Sequence, residues 1–226
     1  MSHIPKKPVL YVLFFLFFSA SVSAQEKEVI KEKGYTLTFI NQDQSFDQGL
    51  KKRMVETFFK VYPLLCKTYN KAAVKEVTFV IDTAYKGVAA TDNGRVSYSP
   101  VWFKQHPEDI DVVTHEVMHI VQAYGGNSGP WWITEGIADY VRFTFGVDNT
   151  GAKWALPGYK TGQTYDQGYR VTAGFFVWLD KRGKGGSIKL LDSAMRNHAY
   201  NDDFWKAQTG KSLQELWAEY SAQPKS

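Results

Sequence analysis

The stretch His115-Glu116-Val117-Met118-His119 decides how this sequence is interpreted. It follows the pattern H-E-x-x-H, in which two histidines stand four positions apart and a glutamate follows the first. Residues four apart on a helix share one face, so both imidazole rings can reach a single Zn²⁺ ion. Glu116 is then offset towards the open side of the metal.

The residues around the motif predict the helix that such a site requires. Pro107, Glu108 and Asp109 have the proline and acidic bias of a helix start, and Gly125-Gly126 marks the end. Apolar residues recur between them at helical spacing: Ile110, Val113, Val117, Ile120, Val121 and Tyr124. The helix is therefore predicted on evidence independent of the motif.

A hydrolytic zinc needs a third protein ligand and keeps a fourth position for water. Glu135 is the predicted ligand, because a short loop lets its predicted helix fold back beside the first. Asp139 stands one turn further on, where its carboxylate can accept a hydrogen bond from the outer nitrogen of a ligating histidine. His106 and His198 are the alternative third ligands.

Two catalytic roles follow from a water bound to zinc. Glu116 is the predicted general base, which takes the proton of the attacking water and later returns it to the leaving amine. Tyr169 is the predicted donor to the developing oxyanion, because it opens the helix after the metal segment. Tyr98, Tyr124 and Tyr165 remain alternatives.

Strand patterns precede the motif at Tyr35 to Ile40, Val77 to Ile81 and Arg95 to Ser99. A long helix is predicted from Phe46 to Tyr69, with Pro63 as a kink or break near its end. These elements predict a small sheet in the first half of the chain.

The strand closest in sequence to the metal helix contains Val96, Ser97 and Tyr98. Zinc peptidases commonly hold a substrate as an added strand at the edge of a sheet, so these residues are predicted to bind it. The alternative is an interior strand with both edges paired.

Four helical segments are predicted after the motif, at Trp131 to Phe145, Tyr169 to Arg182, Ser187 to Asn197 and Ser212 to Tyr220. The fold class is therefore predicted to be α+β, with a small mixed sheet, the H-E-x-x-H helix and a mostly helical C-terminal half. No linker interrupts it, so residues 25–226 are predicted to form one domain.

The N-terminus has the features of a secretory signal peptide. Lys6 and Lys7 precede an apolar stretch from Val9 to Phe18, and small residues follow to Ala24. Cleavage after Ala24 is predicted, which makes the protein secreted or periplasmic, without a stable membrane anchor. An uncleaved anchor is the alternative.

Composition narrows the classes of partner. Without Lys6 and Lys7, the 27 basic residues become 25 against 23 acidic ones, a net charge of +2 that gives no reason to expect a nucleic-acid partner. Cys66 is the only cysteine, so no internal disulfide can form. It lies among apolar residues and is interpreted as part of the core.

The motifs together resemble the plant-type basic secretory protein family, which are gluzincin-like metallopeptidases also found in bacteria. Separated blocks carry the likeness in order: Val88-Ala89-Ala90 with Gly94 to Pro100, Thr114 to Gln122, Trp132 to Tyr140, Gly168 to Leu179, and Thr209 to Ser212 with Leu216 to Tyr220. The resemblance implies a zincin-like fold, and it assigns His115, His119 and Glu135 as ligands and Glu116 as the base.

The leading expectation is a secreted zinc peptidase that acts on peptides or proteins. A second hypothesis is a secreted, non-catalytic protein that binds polysaccharide or a cell-surface polymer through exposed Trp131, Trp132 and Trp154, with a structural zinc. Hydrolysis of a non-peptide amide is a third. Oligomeric state and cleavage specificity are not predicted.

Overall fold

A computed structural model describes residues 26–183 and 186–223. The predicted signal peptide, 1–24, lies outside these residues. Within the described ranges, no helix has both the length and the apolar character needed to cross a membrane.

The first half of the chain forms a mixed sheet of five strands. These are β1 (Glu26–Glu32), β2 (Tyr35–Asn41), β3 (Glu76–Ile81), β4 (Ala89–Asp92) and β5 (Arg95–Tyr98). The spatial order is β1-β2-β3-β5-β4, with β2, β3 and β5 parallel and the two outer strands antiparallel to their neighbours. The three predicted strands form the interior of the sheet.

The prediction that the strand containing Val96, Ser97 and Tyr98 is an exposed edge is wrong. That strand is β5, which pairs with β3 on one side and β4 on the other, so its backbone groups are already hydrogen-bonded. Val96 and Tyr98 are also completely buried. The free edge on this side belongs to β4, which lies next to the H-E-x-x-H helix.

Eight helices follow or flank the sheet in the described part of the chain. They are α1 (Gln48–Thr68), α2 (Pro100–Gln105), α3 (Val112–Gln122), α4 (Trp131–Phe145), α5 (Tyr169–Arg182), α6 (Ser187–Arg196), α7 (Asp203–Thr209) and α8 (Leu213–Ser221). The H-E-x-x-H motif lies on α3, which packs against α1, α4 and β4, and α4 packs in turn against α5. Both α4 and α5 have the predicted bounds.

Pro63 does not break α1, which continues five residues beyond it. A proline has no N–H, so the carbonyl oxygen of Phe59 loses its partner within the helix. The ammonium of Lys33 donates to that oxygen at 3.4 Å. This long-range contact gives the carbonyl oxygen of Phe59 a partner in place of the missing N–H.

The H-E-x-x-H helix starts later than its sequence suggests. Residues 107–111 form turns, and the helix begins at Val112. Asp111 is fully buried there and accepts hydrogen bonds from Thr114 Oγ1 and from the backbone N–H groups of Val147 and Asp148, each at 2.7 Å. The start of α3 is thus tied to the loop after α4.

Candidate active site

The loop between α3 and α4 brings the three predicted ligands together. Ala123 ends α3 in the left-handed conformation, and α4 returns beside α3 from Trp131. Nε2 of His115 lies 3.1 Å from Nε2 of His119, and Oε2 of Glu135 lies 3.3 Å from the first nitrogen and 3.6 Å from the second. The three side chains converge on one point.

This spacing fits a tetrahedral zinc ion. Ligand atoms about 2.0–2.1 Å from a metal, at tetrahedral angles, are separated by about 3.3 Å. The three observed separations lie on either side of that value. Two imidazole nitrogens and one carboxylate oxygen are also a ligand set that zinc accepts, and among the described residues no fourth His, Cys, Asp or Glu joins the group.

Asp139 orients the first histidine. Its Oδ1 lies 2.7 Å from Nδ1 of His115, and its side chain is almost completely buried. The carboxylate holds the proton on Nδ1, so Nε2 faces the ligand cluster and binds a metal once it has lost its own proton. The structure therefore places Asp139 behind His115 rather than behind His119.

The acidic neighbours change the protonation of the cluster in the absence of metal. Burial lowers the pKa of His115, but its hydrogen bonds with Asp139 and Glu135 outweigh burial and raise the pKa to about 10. Burial raises the pKa of Glu135, yet hydrogen bonds with the two histidines hold it well below the usual range. The cluster is therefore built to attract positive charge, either a proton or a metal cation.

Gln122 orients the second histidine, a role that the sequence analysis missed. Its Oε1 lies 2.7 Å from Nδ1 of His119, and its Nε2 donates to the carbonyl of Thr134 at 2.9 Å. The second bond fixes which end of the amide faces His119, so Nδ1 carries the proton and Nε2 is free for a metal. The i, i+3 spacing from His119 was the only available sequence signal.

Glu116 lies beside the ligand cluster and contacts β4. The hydroxyl of Thr91 donates to Oε2 of Glu116 at 2.6 Å and lies 3.0 Å from the backbone oxygen of the same residue. Glu116 is only 6% exposed, so this contact fixes the carboxylate in a sheltered position. Thr91 is a second residue that the sequence analysis missed. The signal that could have found it is Asn93-Gly94, a two-residue turn that joins β4 to β5 as a hairpin.

Tyr169 lies over the metal-ligand cluster. Its ring is stacked on that of His115, with centroids 6.3 Å apart and planes 13° apart, and half of its surface is exposed. Burial and then the negative charges of Glu135, Asp139 and Glu116 raise the pKa of its hydroxyl, which stays protonated at neutral pH. Tyr169 can therefore act as a hydrogen-bond donor at the mouth of the site.

The backbone at Tyr169 has an unusual conformation. Tyr169 has a φ of 46°, which is rare for an aromatic residue, and Gly168 before it has a φ of 71°. A Cβ on Gly168 would lie 2.5 Å from the ring of Trp131. The close approach and the left-handed backbone both require glycine, and together they direct Tyr169 towards His115.

The alternative tyrosines are buried or packed on other rings, and the hydroxyl of Tyr98, which has no hydrogen-bond partner in the described part of the chain, is enclosed in the core. Tyr98 is fully buried, and the hydroxyl of Tyr124 donates to Asp192 at 2.9 Å. The ring of Tyr165 packs on Trp132 with centroids 5.2 Å apart. None of the three faces the ligand cluster as Tyr169 does.

The alternative third ligands lie away from the ligand cluster, and the three tryptophans do not form one exposed surface. His106 packs against Trp102, with ring centroids 4.1 Å apart and planes tilted by 36°, and His198 contacts the backbone oxygen of Asn127. Neither belongs to the ligand cluster. The predicted exposure of Trp132 is wrong: it is 6% exposed, because its ring packs under α5 against Phe176.

A cleft of about 1310 Å³ opens over the ligand cluster. One wall is formed by β4 and α2, and the other by α4 and the loop at 151–154. The floor is α3, whose lining residues run from Val112 to Gln122 and so extend along about 15 Å of helix. An elongated substrate can therefore lie across the cluster.

Arg196 supports the end of α3 from below. Its guanidinium donates to the carbonyls of Val121 and Gln122, both at 3.2 Å, and to that of Tyr69 at 2.9 Å. It also pairs with Asp192, which is completely buried. Carbonyls at the end of a helix have no partner within it, so Arg196 caps α3 beside Gln122.

The fold is similar to those of solved zinc metallopeptidases. The M1 zinc metallopeptidase from Deinococcus radiodurans matches with a TM-score of 0.53 and 14% identity, covering 89% of this chain and 52% of that one. A mutant of that enzyme bound to the substrate Tyr-Ser-Ala gives a TM-score of 0.54 and 13% identity, covering 89% and 53%. An aminopeptidase N family protein from Idiomarina loihiensis gives 0.53 and 10%, covering 89% and 47%.

This chain spans about half the length of these solved structures, and at such low identity the likeness shows a shared zincin-like fold. A search of the curated proteins found no match. The family model BSP, described as "Peptidase of plants and bacteria", matches residues 19–220. The chain therefore belongs to the basic secretory protein family, the peptidase family of plants and bacteria that its motifs resemble.

Proposed function

We propose that this protein is a secreted zinc-dependent peptidase, with zinc held by His115, His119 and Glu135 and with Glu116 as the general base. The observation that carries the proposal is the spacing of the three ligand atoms, 3.1 to 3.6 Å, beside a buried glutamate on the same helix. The family match and the zincin-like fold support it.

Three protein ligands leave one position for water, which is the arrangement of a catalytic rather than a structural zinc. When bound, zinc would supply an acidified water and a Lewis acid for the substrate carbonyl. Glu116 accepts the proton of the attacking water at its carboxylate and then donates that proton to the leaving amine. Thr91 holds Oε2 of Glu116, which leaves Oε1 to meet the water.

Tyr169 provides the hydrogen bond to the developing oxyanion. Its ring lies on His115, and its hydroxyl has no hydrogen-bond partner among the described residues. A free donor at the mouth of the site can turn towards charge that appears only in the transition state. This assignment gives the unusual backbone of Gly168 and Tyr169 a function.

The peptide substrate binds along β4 rather than β5. The N–H of Ser99 donates to the carbonyl of Val88 at 3.0 Å, so the backbone polar groups of Val88 face β5. These groups alternate in direction along an antiparallel strand, so those of Ala89 and Thr91 point to the free edge. The hydroxyl of Tyr85 donates a hydrogen bond to the carbonyl of Ala89. The N–H and C=O of Thr91 are then available to an added strand, directly beside Glu116.

The rival hypothesis of a polysaccharide-binding surface has less support, because Trp132 is buried and three tryptophans do not form one exposed face. Secretion rests on the predicted signal peptide and on the family name. Sequencing the N-terminus of the exported protein would test cleavage after Ala24.

The decisive experiment combines metal analysis with digestion of a peptide library, using wild type and Glu116→Gln in parallel. The proposal expects about one zinc per chain in both proteins, and chelator-sensitive cleavage in the wild type alone. Full activity of Glu116→Gln would exclude this mechanism. Bound zinc without peptide cleavage by the wild type would redirect the search to non-peptide amides or to binding.

A further inference from the structure

The cleft extends well beyond the zinc ligands. Its end near the start of α3 is lined by Trp102 of α2, Asp109, Arg142 of α4 and Trp154 of the following loop. We call these four residues the distal pocket. None of them takes part in the chemistry assigned above.

The charged groups of the distal pocket are neutralised within it. One carboxylate oxygen of Asp109 pairs with Arg142, and the other accepts the indole N–H of Trp102 at 3.0 Å. Nε of Arg142 donates to Oδ1 of Asn149 at 3.3 Å, and the residue is only 5% exposed. The pocket therefore offers little unpaired charge to a ligand.

The aromatic groups form the accessible walls. The guanidinium carbon of Arg142 lies 4.4 Å from the ring centroid of Trp154, so the cation covers one face of that indole. His106 packs against Trp102 with ring centroids 4.1 Å apart and planes tilted by 36°. Both indoles are partly exposed and line the cleft, while Lys153 lies exposed at its rim. These walls suit an apolar or aromatic group.

The loop that carries Trp154 is held in place before any ligand binds. The buried carboxylate of Asp111 accepts from the backbone N–H groups of Val147 and Asp148 at 2.7 Å. Trp154 N–H then donates to the carbonyl of Asn149 at 2.9 Å. A wall that is already ordered costs a ligand less conformational entropy on binding.

The position of the pocket sets which part of a peptide reaches it. Glu135 and Arg142 lie on one helix, seven residues apart, which corresponds to about 10.5 Å along its axis. An extended peptide advances about 3.3 Å per residue, so this distance equals about three residues. The pocket therefore receives a side chain two or three positions from the scissile bond.

We propose that the distal pocket is a specificity subsite that binds a large aromatic side chain of the substrate, two or three residues from the bond that is cleaved. This inference rests on the proposed peptidase function for its substrate. It adds a sequence preference to a site whose main-chain contacts at β4 are otherwise tolerant of sequence.

The test is a profile of cleavage sites in a mixed peptide library. Wild type should prefer Phe, Tyr or Trp over Ala at one of those positions by about tenfold or more, a range typical of side-chain discrimination in apolar pockets. Trp154→Ala should abolish the preference, and Trp154→Phe should retain it. Trp131→Ala, which removes an exposed tryptophan near Tyr169 but outside the distal pocket, should leave the preference unchanged even if the rate falls.

A binding assay separates failure of the subsite from failure of the proposed function. Zinc-loaded Glu116→Gln should bind a peptide with Phe at the preferred position about tenfold more tightly than its Ala counterpart, and Trp154→Ala in that background should remove the difference. The assay needs matched peptides that carry either Phe or Ala at one position, with one such pair for each position up to three residues from the centre. Absence of cleavage by wild type would overturn only the peptidase function. Equal binding of every Phe and Ala pair, or a preference that survives Trp154→Ala, would overturn the subsite.

Discussion

The hydroxyl of Thr91 on the edge strand β4 lies 2.6 Å from the carboxylate of Glu116 on α3. This hydrogen bond connects β4, the strand proposed to bind the peptide, to Glu116, the proposed general base. A shift of β4 therefore also shifts the base. The contact links substrate position to catalysis through a single side chain.

Replacing Thr91 with valine keeps the shape of the side chain but removes the donor to Glu116. We expect kcat to fall about 10- to 100-fold, as is usual when a residue that orients a reacting group is lost, while bound zinc is unchanged. Thr91→Ser restores the hydroxyl and should recover most of the activity. Steady-state kinetics with metal analysis checks this, and wild-type kcat in Thr91→Val would contradict the role.

Zinc binding should depend on pH because of His115. Its pKa is raised to about 10 in the metal-free protein, so the ring is protonated at neutral pH and must lose that proton to bind zinc. The apparent Kd should therefore fall as pH rises, by about tenfold per unit below pH 10 for this one proton.

Calorimetry in two buffers with different heats of ionisation measures the protons released. At pH 8 we expect His115 to release close to one proton, because Glu135 is already ionised there, and a zinc-bound water that ionises at about pH 7 to release a second. A Kd that stays constant between about pH 7 and pH 9 would show that the acidic neighbours do not protonate His115.

Tyr169→Phe should retain the ring stacked on His115 and lose only the hydroxyl. Removal of one oxyanion donor typically lowers kcat by about 10²- to 10³-fold, and we expect KM and zinc content to change little. Tyr165→Phe is the matched control, since that ring packs on Trp132 away from the ligand cluster. Wild-type kcat in Tyr169→Phe, or an equal loss in the control, would contradict the oxyanion role of Tyr169.

Arg196→Met should destabilise the fold by about 3–5 kcal/mol, because it leaves the buried Asp192 without its positive partner. A second substitution, Asp192→Leu, should recover part of this loss. Lys52→Met is the comparison, since Lys52 and its partner Glu56 are both largely exposed and such pairs add little stability. Denaturant unfolding of the metal-free proteins measures all three, and an Arg196→Met protein as stable as wild type would contradict the importance of the cap.

Local signals account for the elements that the sequence predicted well. The bounds of α4 and α5 follow from apolar periodicity and from glycines that end or precede a helix, and these act within a few residues. At the start of α8, Ser212 and Glu215, three positions apart, form a capping box. Each of these interactions is made between neighbours along the chain.

The missed strands are the outer arms of two tight hairpins, in which Lys33-Gly34 joins β1 to β2 and Asn93-Gly94 joins β4 to β5. Their own residues carry only a weak strand signal. The residues of β4, Ala89-Ala90-Thr91-Asp92, have little strand propensity, and they form a strand because β5 supplies their hydrogen bonds. The mostly charged β1 similarly depends on pairing with β2. This is why β5 was predicted to be the edge strand, whereas the edge of the sheet is β4.

By itself, the sequence determined the helix with His115, Glu116 and His119, because a fixed spacing on a regular helix places those side chains on one side. Tertiary structure decided how Glu135 meets the two histidines, and that Asp139 and Gln122 orient one ring each. It also decided that β4 lies at the edge and that Trp102 and Trp154 line one pocket. The physical reason is range: helical periodicity is a local property of the chain, whereas a hydrogen bond between elements exists only once packing has brought its two atoms within about 3 Å.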